Sequence, residues 1–381
     1  MNNSIDLQQI LTTHLTAYRE QHCLDPRSRQ VLSHIQHCRT ETLGGIRLQC
    51  DHCQQQQPHY YACRDRHCPQ CQWQASQQWA EQQLGAQLPV NYHHLVFTLP
   101  EALNGWAGLH PEVLYPQLFR AAWATLRAFG EDPKRLGGRM GMTAMLHTWG
   151  ATLVRHVHLH CLVPGGAISA EGTWNASNSD YLFPVRALSR HFRGRMVSRL
   201  RACANAGKLH RITRAGEIDA MLERLMSQDW VVYSKPCFEA GDSVVRYLAR
   251  YTHRTAISDQ RILNMTQDQV AFRYKDYRDQ NRCKVMRLSV EEFIRRFLLH
   301  VLPKGLMRIR HYGFLANACR RQQLPRIRQA IAAALQRSTA AAEESGRSTQ
   351  ATSTWCFLCP RCRTPLRILG DIPARTRWEG G

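Results

Sequence analysis

The run His156-Val-His158-Leu-His160 repeats an imidazole at every second position. Residues two apart in a β-strand share a face, so His158 and His160 project together and could hold one metal ion. A surface strand with alternating polar residues gives the same pattern, and His156 extends the row so that either overlapping pair could serve. His147 lies on the preceding predicted strand, where a turn near Gly150 would bring it beside the pair, as a third ligand or as a plain polar residue. A second constellation is Tyr247-Leu-Ala-Arg-Tyr251, flanked by Arg246, Arg250 and Arg254. Tyrosines four apart on a helix share a face, and the arginines form a parallel row. Such a helix either buries two aromatics or presents a nucleophile beside phosphate-binding guanidiniums. A phenol with a pKa near ~10 attacks poorly until its proton is withdrawn or the phosphate is polarised. A metal held by two or three histidines supplies that polarisation.

The chain has 15 cysteines, and their spacing is informative. Cys50-x2-Cys53 and Cys68-x2-Cys71 form two knuckles whose four thiolates could close a tetrahedron around a structural zinc. Disulfides explain them less well, because the amino-terminus carries Asp6 and several Gln where a secretory signal needs an apolar run. His34, His37, Cys38, His52, Cys63 and His67 crowd the same segment, and a second zinc on Cys38, Cys63, His67 and an upstream His is an open alternative. Cys356, Cys359 and Cys362 repeat the knuckle spacing near the carboxy-terminus, but a zinc there needs a ligand from elsewhere in the fold.

The elements that must position these groups follow from periodicity. Residues 5–40 read as helical, and a Gln-rich helix from Trp73 to about Leu88 follows the cysteine segment. Tyr92–Leu99, Met142–Trp149, Thr152–Val163 and Trp230–Lys235 read as strands, with Pro164-Gly165-Gly166 as a hard stop. Helical patterns cover about 112–129, 188–206, 217–228 and Asp242–Tyr251, and a hairpin is expected at Arg261–Tyr274. A last strand, Lys284–Val290, leads into a helix to about Val301. This mixture predicts an α+β fold with a largely antiparallel sheet flanked by helices, preceded by a small zinc-binding module. The boundaries expected are 1–88, 89–330, an Ala/Ser/Thr-rich linker at 331–354, and a cysteine-containing tail at 355–381.

Composition bounds the partners. The 381 residues suffice for two or three domains, and 44% apolar content excludes wholesale disorder. Mean hydropathy is −0.43, and no apolar stretch approaches the roughly 20 residues of a membrane span. A soluble, cytoplasmic protein without a membrane partner is expected. The net charge of +21, mostly from arginine, points to a polyanion, and nucleic acid is the first candidate.

Three runs together resemble rolling-circle insertion-sequence transposases of the two-tyrosine HUH class, whose founding type is insertion sequence ninety-one. They are His156-Val-His158-Leu-His160-Cys-Leu-Val-Pro-Gly-Gly, Tyr247-Leu-Ala-Arg-Tyr251-Thr-His-Arg and Cys63-Arg-Asp-Arg-His-Cys-Pro-Gln-Cys71. Phe272–Arg278, His300–Gly305 and Arg308–Leu315 extend the resemblance over about residues 30–320. It implies a zinc-binding DNA-recognition domain followed by a nuclease domain that nicks and rejoins single-stranded DNA at transposon ends and in target DNA. His158 and His160 match the His-hydrophobic-His element for a catalytic Mg²⁺ or Mn²⁺. Tyr247 and Tyr251 would be the nucleophiles forming a 5′-phosphotyrosine, with the fuller motif around Tyr251. Plasmid replication initiators and relaxases share this chemistry but give no reason for the cysteine module. A non-enzymatic zinc-dependent DNA-binding protein, or a decayed transposase, leaves the histidine row and tyrosine pair without a purpose. A carboxylate-type transposase lacks an evident acidic cluster.

Overall fold

The computed structural model describes residues 5–84, 87–178, 181–237, 255–277, 279–338 and 357–375. The chain opens with α1 (Leu7–Gln21), α2 (Pro26–Gln36), the hairpin β1 (Gly45–Cys50) and β2 (Gln56–Tyr60), and α3 (Pro69–Leu84). Then come β3 (Tyr92–Thr98), α4 (Asn104–Leu109), α5 (Pro111–Glu131), β4 (Gly141–Trp149), β5 (Arg155–Pro164), β6 (Gly166–Ile168) and β7 (Trp174–Ala176). They are followed by α6 (Val185–Asn205), α7 (Glu217–Ser227), β8 (Val232–Cys237), β9 (Ile262–Met265), β10 (Gln269–Asp276) and β11 (Arg282–Ser289). The last elements are α8 (Val290–Leu298), β12 (Ile309–Gly313), α9 (Arg320–Ser338) and β13 (Leu366–Ile372). The architecture is α+β with antiparallel sheets and flanking helices. No helix among the described residues is long and apolar enough to cross a membrane.

The chain divides into two compact units. One comprises Met1–Gln74, Ile257–Arg295 and Ala342–Gly381; the other comprises Ala75–Ala256 and Arg296–Ala341. Pairings between segments far apart in the chain build the first unit. In the first unit, β13 lies antiparallel to β1, giving the sheet order β13-β1-β2. The β9–β11 sheet joins the same unit: the Leu7 amide donates to Asp259 (3.0 Å), and His22 reaches Glu291 (3.0 Å). Helix α1 is entered through a capping box between Asp6 and Gln9, and α2 through Asp25 followed by Pro26. The expected linker is also partly helical, since α9 runs to Ser338 through an alanine-rich stretch that favours helix.

The second unit is built on a five-stranded antiparallel sheet in the order β12-β4-β5-β3-β8. Alternate residues of its strands go to opposite faces. Leu95 and Phe97 of β3, Ala144 and Leu146 of β4, and Val157, Leu159 and Cys161 of β5 join one buried core with α5 and α6. Helix α6 contributes Leu188, Phe192, Met196 and Leu200 at four-residue spacing, and Phe192 meets Phe97 edge-on at 4.9 Å. The residues between those strand positions, the histidines among them, therefore face away from this core.

Strand β12 anchors β4 through a ladder from Ile309↔Met145 to Gly313↔Gly141. Gly313 has a φ of 60°, and a Cβ there would collide with the Met140 carbonyl oxygen. Gly313→Ala should therefore lower stability by roughly 2–3 kcal/mol. Thermal unfolding reads this directly, and an unchanged midpoint would contradict the strand junction described.

Candidate functional site

The register of β4 and β5 assembles the histidines. His147 stands opposite His158, and His160 stands opposite Met145, so all three imidazoles share the sheet face away from the core. Ring centroids lie 5.4 Å apart for His147–His158, 4.5 Å for His147–His160 and 4.8 Å for His158–His160. One ring nitrogen from each lies within 4.8 Å of the others. His147 and His160 are buried and His158 is partly exposed. His156 is exposed and lends its carbonyl instead of its ring.

The partners of these rings bear on their tautomers. The Nδ1 of His158 lies 2.8 Å from the His156 carbonyl oxygen, which can only accept. A neutral His158 therefore carries its proton on Nδ1 and turns the Nε2 lone pair toward the cluster. His160 Nε2 is 3.1 Å from that atom, and its own Nδ1 lies 2.9 Å from His94 Nε2. Cis ligands on an octahedral ion with bonds of about 2.1 Å are about 3 Å apart, so the two Nε2 atoms are spaced for a shared ion. His147 stacks on Trp149 at 4.6 Å, which holds its ring plane.

Sequence reasoning missed His94. It lies on β3, stacked on His160 at 5.1 Å, and stands opposite Lys235 of β8. Burial, helped by the nearby Lys235 charge, pushes its pKa down to about 4, so His94 is a neutral partner at ordinary pH. The signal was available: two adjacent histidines in the apolar strand Tyr92–Thr98 are unusual cargo for a core element. Tyr247, Tyr251, Arg246, Arg250 and Arg254 lie outside the described residues.

The cysteines regroup. Cys50, Cys53, Cys68 and Cys71, expected as one site, fall into two separate clusters. Cys68 and Cys71 gather with Cys38 and Cys63, whereas Cys50 and Cys53 gather with Cys359 and Cys362. The reason is the fold: Cys50 and Cys53 sit at the far end of β1, while Cys63 to Cys71 lead into α3 beside the end of α2. In the first cluster, Cys71 Sγ lies 3.5 Å from Cys38 Sγ and 3.6 Å from Cys63 Sγ. Zinc bound at about 2.3 Å to four sulfurs spaces them by about 3.8 Å, so the cluster has the dimensions of a ZnS₄ site. A disulfide would need about 2.05 Å. His34 and His67, considered above as ligands, instead flank Asp65 at 2.9 and 2.7 Å. Burial would raise the Asp65 pKa, but these two hydrogen bonds outweigh it and hold the carboxyl well below its usual range.

Residues 10–99 match the family described as "Transposase zinc-binding domain", and residues 141–323 match the one described as "Putative transposase". A Sinorhizobium fredii protein named "Putative transposase y4qJ" is 42% identical over 370 residues, covering 93% of this chain and 92% of that protein. The transposase for insertion sequence element IS801 of Pseudomonas savastanoi pv. phaseolicola is 30% identical over 284 residues, 71% of this chain and 65% of that one. The chain belongs to the IS91 family of transposases. No solved structure matches it. In this IS91-type transposase the zinc-binding match contains Cys38, Cys63, Cys68 and Cys71, and together with their spacing it supports a structural zinc there. The second match contains the three clustered histidines.

Because Cys38 belongs with Cys68, Cys38→Ser should remove one zinc as completely as Cys68→Ser does. Metal analysis of the purified variants checks this; full zinc content in Cys38→Ser would restore the grouping by linear spacing.

Proposed function

We propose that this transposase nicks and rejoins single-stranded DNA at element ends through a 5′-phosphotyrosine intermediate. The observation that carries the proposal is the convergence of His147, His158 and His160 on one face of the sheet, with Nε2 atoms of His158 and His160 at 3.1 Å. The donor set fits a divalent ion, and imidazole ligands suit Mn²⁺ better than Mg²⁺. When bound, either ion would act as a Lewis acid on the scissile phosphate.

Tyr251 or Tyr247, assigned by spacing and family resemblance, attacks phosphorus through its phenolate oxygen. The P–O3′ bond breaks as the P–O(Tyr) bond forms, the phenolic proton leaves to solvent, and the departing 3′ oxygen is protonated. One phosphodiester replaces another, so a later 3′-OH can reverse the step without a nucleotide cofactor. The second tyrosine allows a second strand to be held meanwhile. Arg246, Arg250 and Arg254 are suited to pair with backbone phosphates, in keeping with the net charge of +21. His94 is a positioning residue: by accepting from His160 Nδ1 it directs His160 Nε2 into the cluster.

Single-stranded DNA bearing candidate ends, incubated with protein and Mn²⁺, should give a covalent adduct on a denaturing gel. The adduct should vanish in Tyr247→Phe/Tyr251→Phe and in His158→Ala/His160→Ala, while the histidine variant keeps its DNA affinity. An adduct surviving in the tyrosine double variant would refute the nucleophile assignment. His94→Gln should weaken Mn²⁺ binding by about 10–100-fold with unchanged folding. An unchanged Mn²⁺ titration would reduce His94 to packing.

A further inference from the structure

Cys50 and Cys362 are 312 positions apart in sequence, and Cys53 and Cys359 are 306 apart, yet their sulfurs meet. The Sγ separations are 3.3 Å for Cys50–Cys362, 3.5 Å for Cys53–Cys359 and 3.8 Å for Cys53–Cys362. All four sulfurs lie within 4.8 Å of one another, close to the edges of about 3.8 Å expected for ZnS₄.

The two segments that deliver them fold alike. In each, the first cysteine's amide donates to the carbonyl five residues on: Cys50 to Gln55 at 3.0 Å, and Cys359 to Thr364 at 2.8 Å. Its carbonyl accepts from the amide four residues on, Gln54 at 2.9 Å and Arg363 at 2.8 Å. That fourth residue has positive φ in both, 56° at Gln54 and 59° at Arg363. One knuckle ends β1 and the other precedes β13, and the two strands pair from Gly45↔Ile372 to Cys50↔Leu366. The Thr364 hydroxyl lies 3.1 Å from both Cys50 Sγ and Cys362 Sγ, so it can donate to a thiolate at the centre.

Beyond its ladder to β1, the tail is held among the described residues mostly by exposed contacts. Ile368 and Leu369 of β13 are 58% and 40% exposed, so the strand buries little apolar surface. The tail's ion pairs, Arg367 with Asp51 and Arg375 with Glu41, are exposed on both sides, and such pairs contribute at most about 1 kcal/mol each. The turn ahead of β1 is nevertheless shaped for a close neighbour: Gly44 has a φ of 69°, and a Cβ there would meet the Ile372 carbonyl oxygen at 2.6 Å. A strand seated so closely with so little burial needs another source of binding energy. Small modules short of core obtain it from a structural metal.

We propose that Cys50, Cys53, Cys359 and Cys362 bind a second structural zinc, which ties the carboxy-terminal tail to the amino-terminal module as a single zinc ribbon. Four thiols lose their protons to solvent and all four tetrahedral positions are filled by sulfur, leaving none for catalysis. Cys50 and Cys53 lie within the zinc-binding match, 10–99, whereas Cys359 and Cys362 lie outside both matched segments; the four sulfurs form a cluster distinct from that of Cys38, Cys63, Cys68 and Cys71. Removing the tail would strand Cys50 and Cys53 with half a coordination shell and uncover one edge of β1.

Native mass spectrometry of the full chain carrying His158→Ala/His160→Ala, so that the imidazole cluster adds no ion, should find two zinc ions. One zinc would overturn the proposal. Adding Cys359→Ser/Cys362→Ser should leave one zinc and speed hydrogen exchange in β13 at least about tenfold; two zincs retained would overturn it. Should those serines unfold the module altogether, X-ray absorption of the parent decides. A shell of four sulfurs at about 2.3 Å per zinc supports the ribbon, and nitrogen in that shell overturns it.

Discussion

The pairing register between β4 and β5 is the constraint on which the candidate site depends. His147 is opposite His158 because Leu146 is opposite Leu159 and Ala144 opposite Cys161. Those apolar neighbours are locked into the core with Phe97, Phe119 and Phe192. A slip of one residue would drive three imidazoles into that core and expose its leucines. Site geometry and core packing are therefore a single specification: the hydrophobic face fixes the register, and the register gathers the imidazoles. The ladder to β12 extends the same logic, since Gly313 lets the chain turn against Met140 where a side chain would not fit.

The first unit solves a different problem. Its β1–β2 hairpin is too small and too polar to be held by burial, as the exposed Gln54, Gln55 and Gln56 make plain. Both cysteine clusters lie where apolar area is short, and a structural zinc in each would supply the order that burial does not. Around the first of them, Asp65 uses its two oxygens on His34 and His67, fixing a polar trio, buried at Asp65 and His67, beside Cys63 and Cys68.

Much of this was legible in the sequence because it rests on local periodicity. The two-residue spacing of His158 and His160 fixed their common face, and Gly150 with its short turn fixed which strand came next. Helices α1, α2, α5, α6 and α7 followed from their apolar stripes. What stayed illegible is long-range. Spacing suggested that Cys50 and Cys53 belonged with Cys68 and Cys71, because nearness along the chain stood in for nearness in space. Only the pairing of β13 with β1 shows that their partners are Cys359 and Cys362. His94 was overlooked for the same reason, since its link to His160 runs across β3 and β5. The end of α9 was misread as linker because alanines carry no stripe, although they favour helix.

The central claim is that this sheet face binds a divalent ion through imidazole nitrogen. Pulsed electron paramagnetic resonance of Mn²⁺ bound to the protein with single-stranded DNA tests it without requiring turnover. The account predicts ¹⁴N coupling from coordinated histidine, present in the wild type and absent when His147, His158 and His160 are replaced by alanine. Mn²⁺ bound through oxygen ligands alone, with no nitrogen coupling in the wild type, would contradict it.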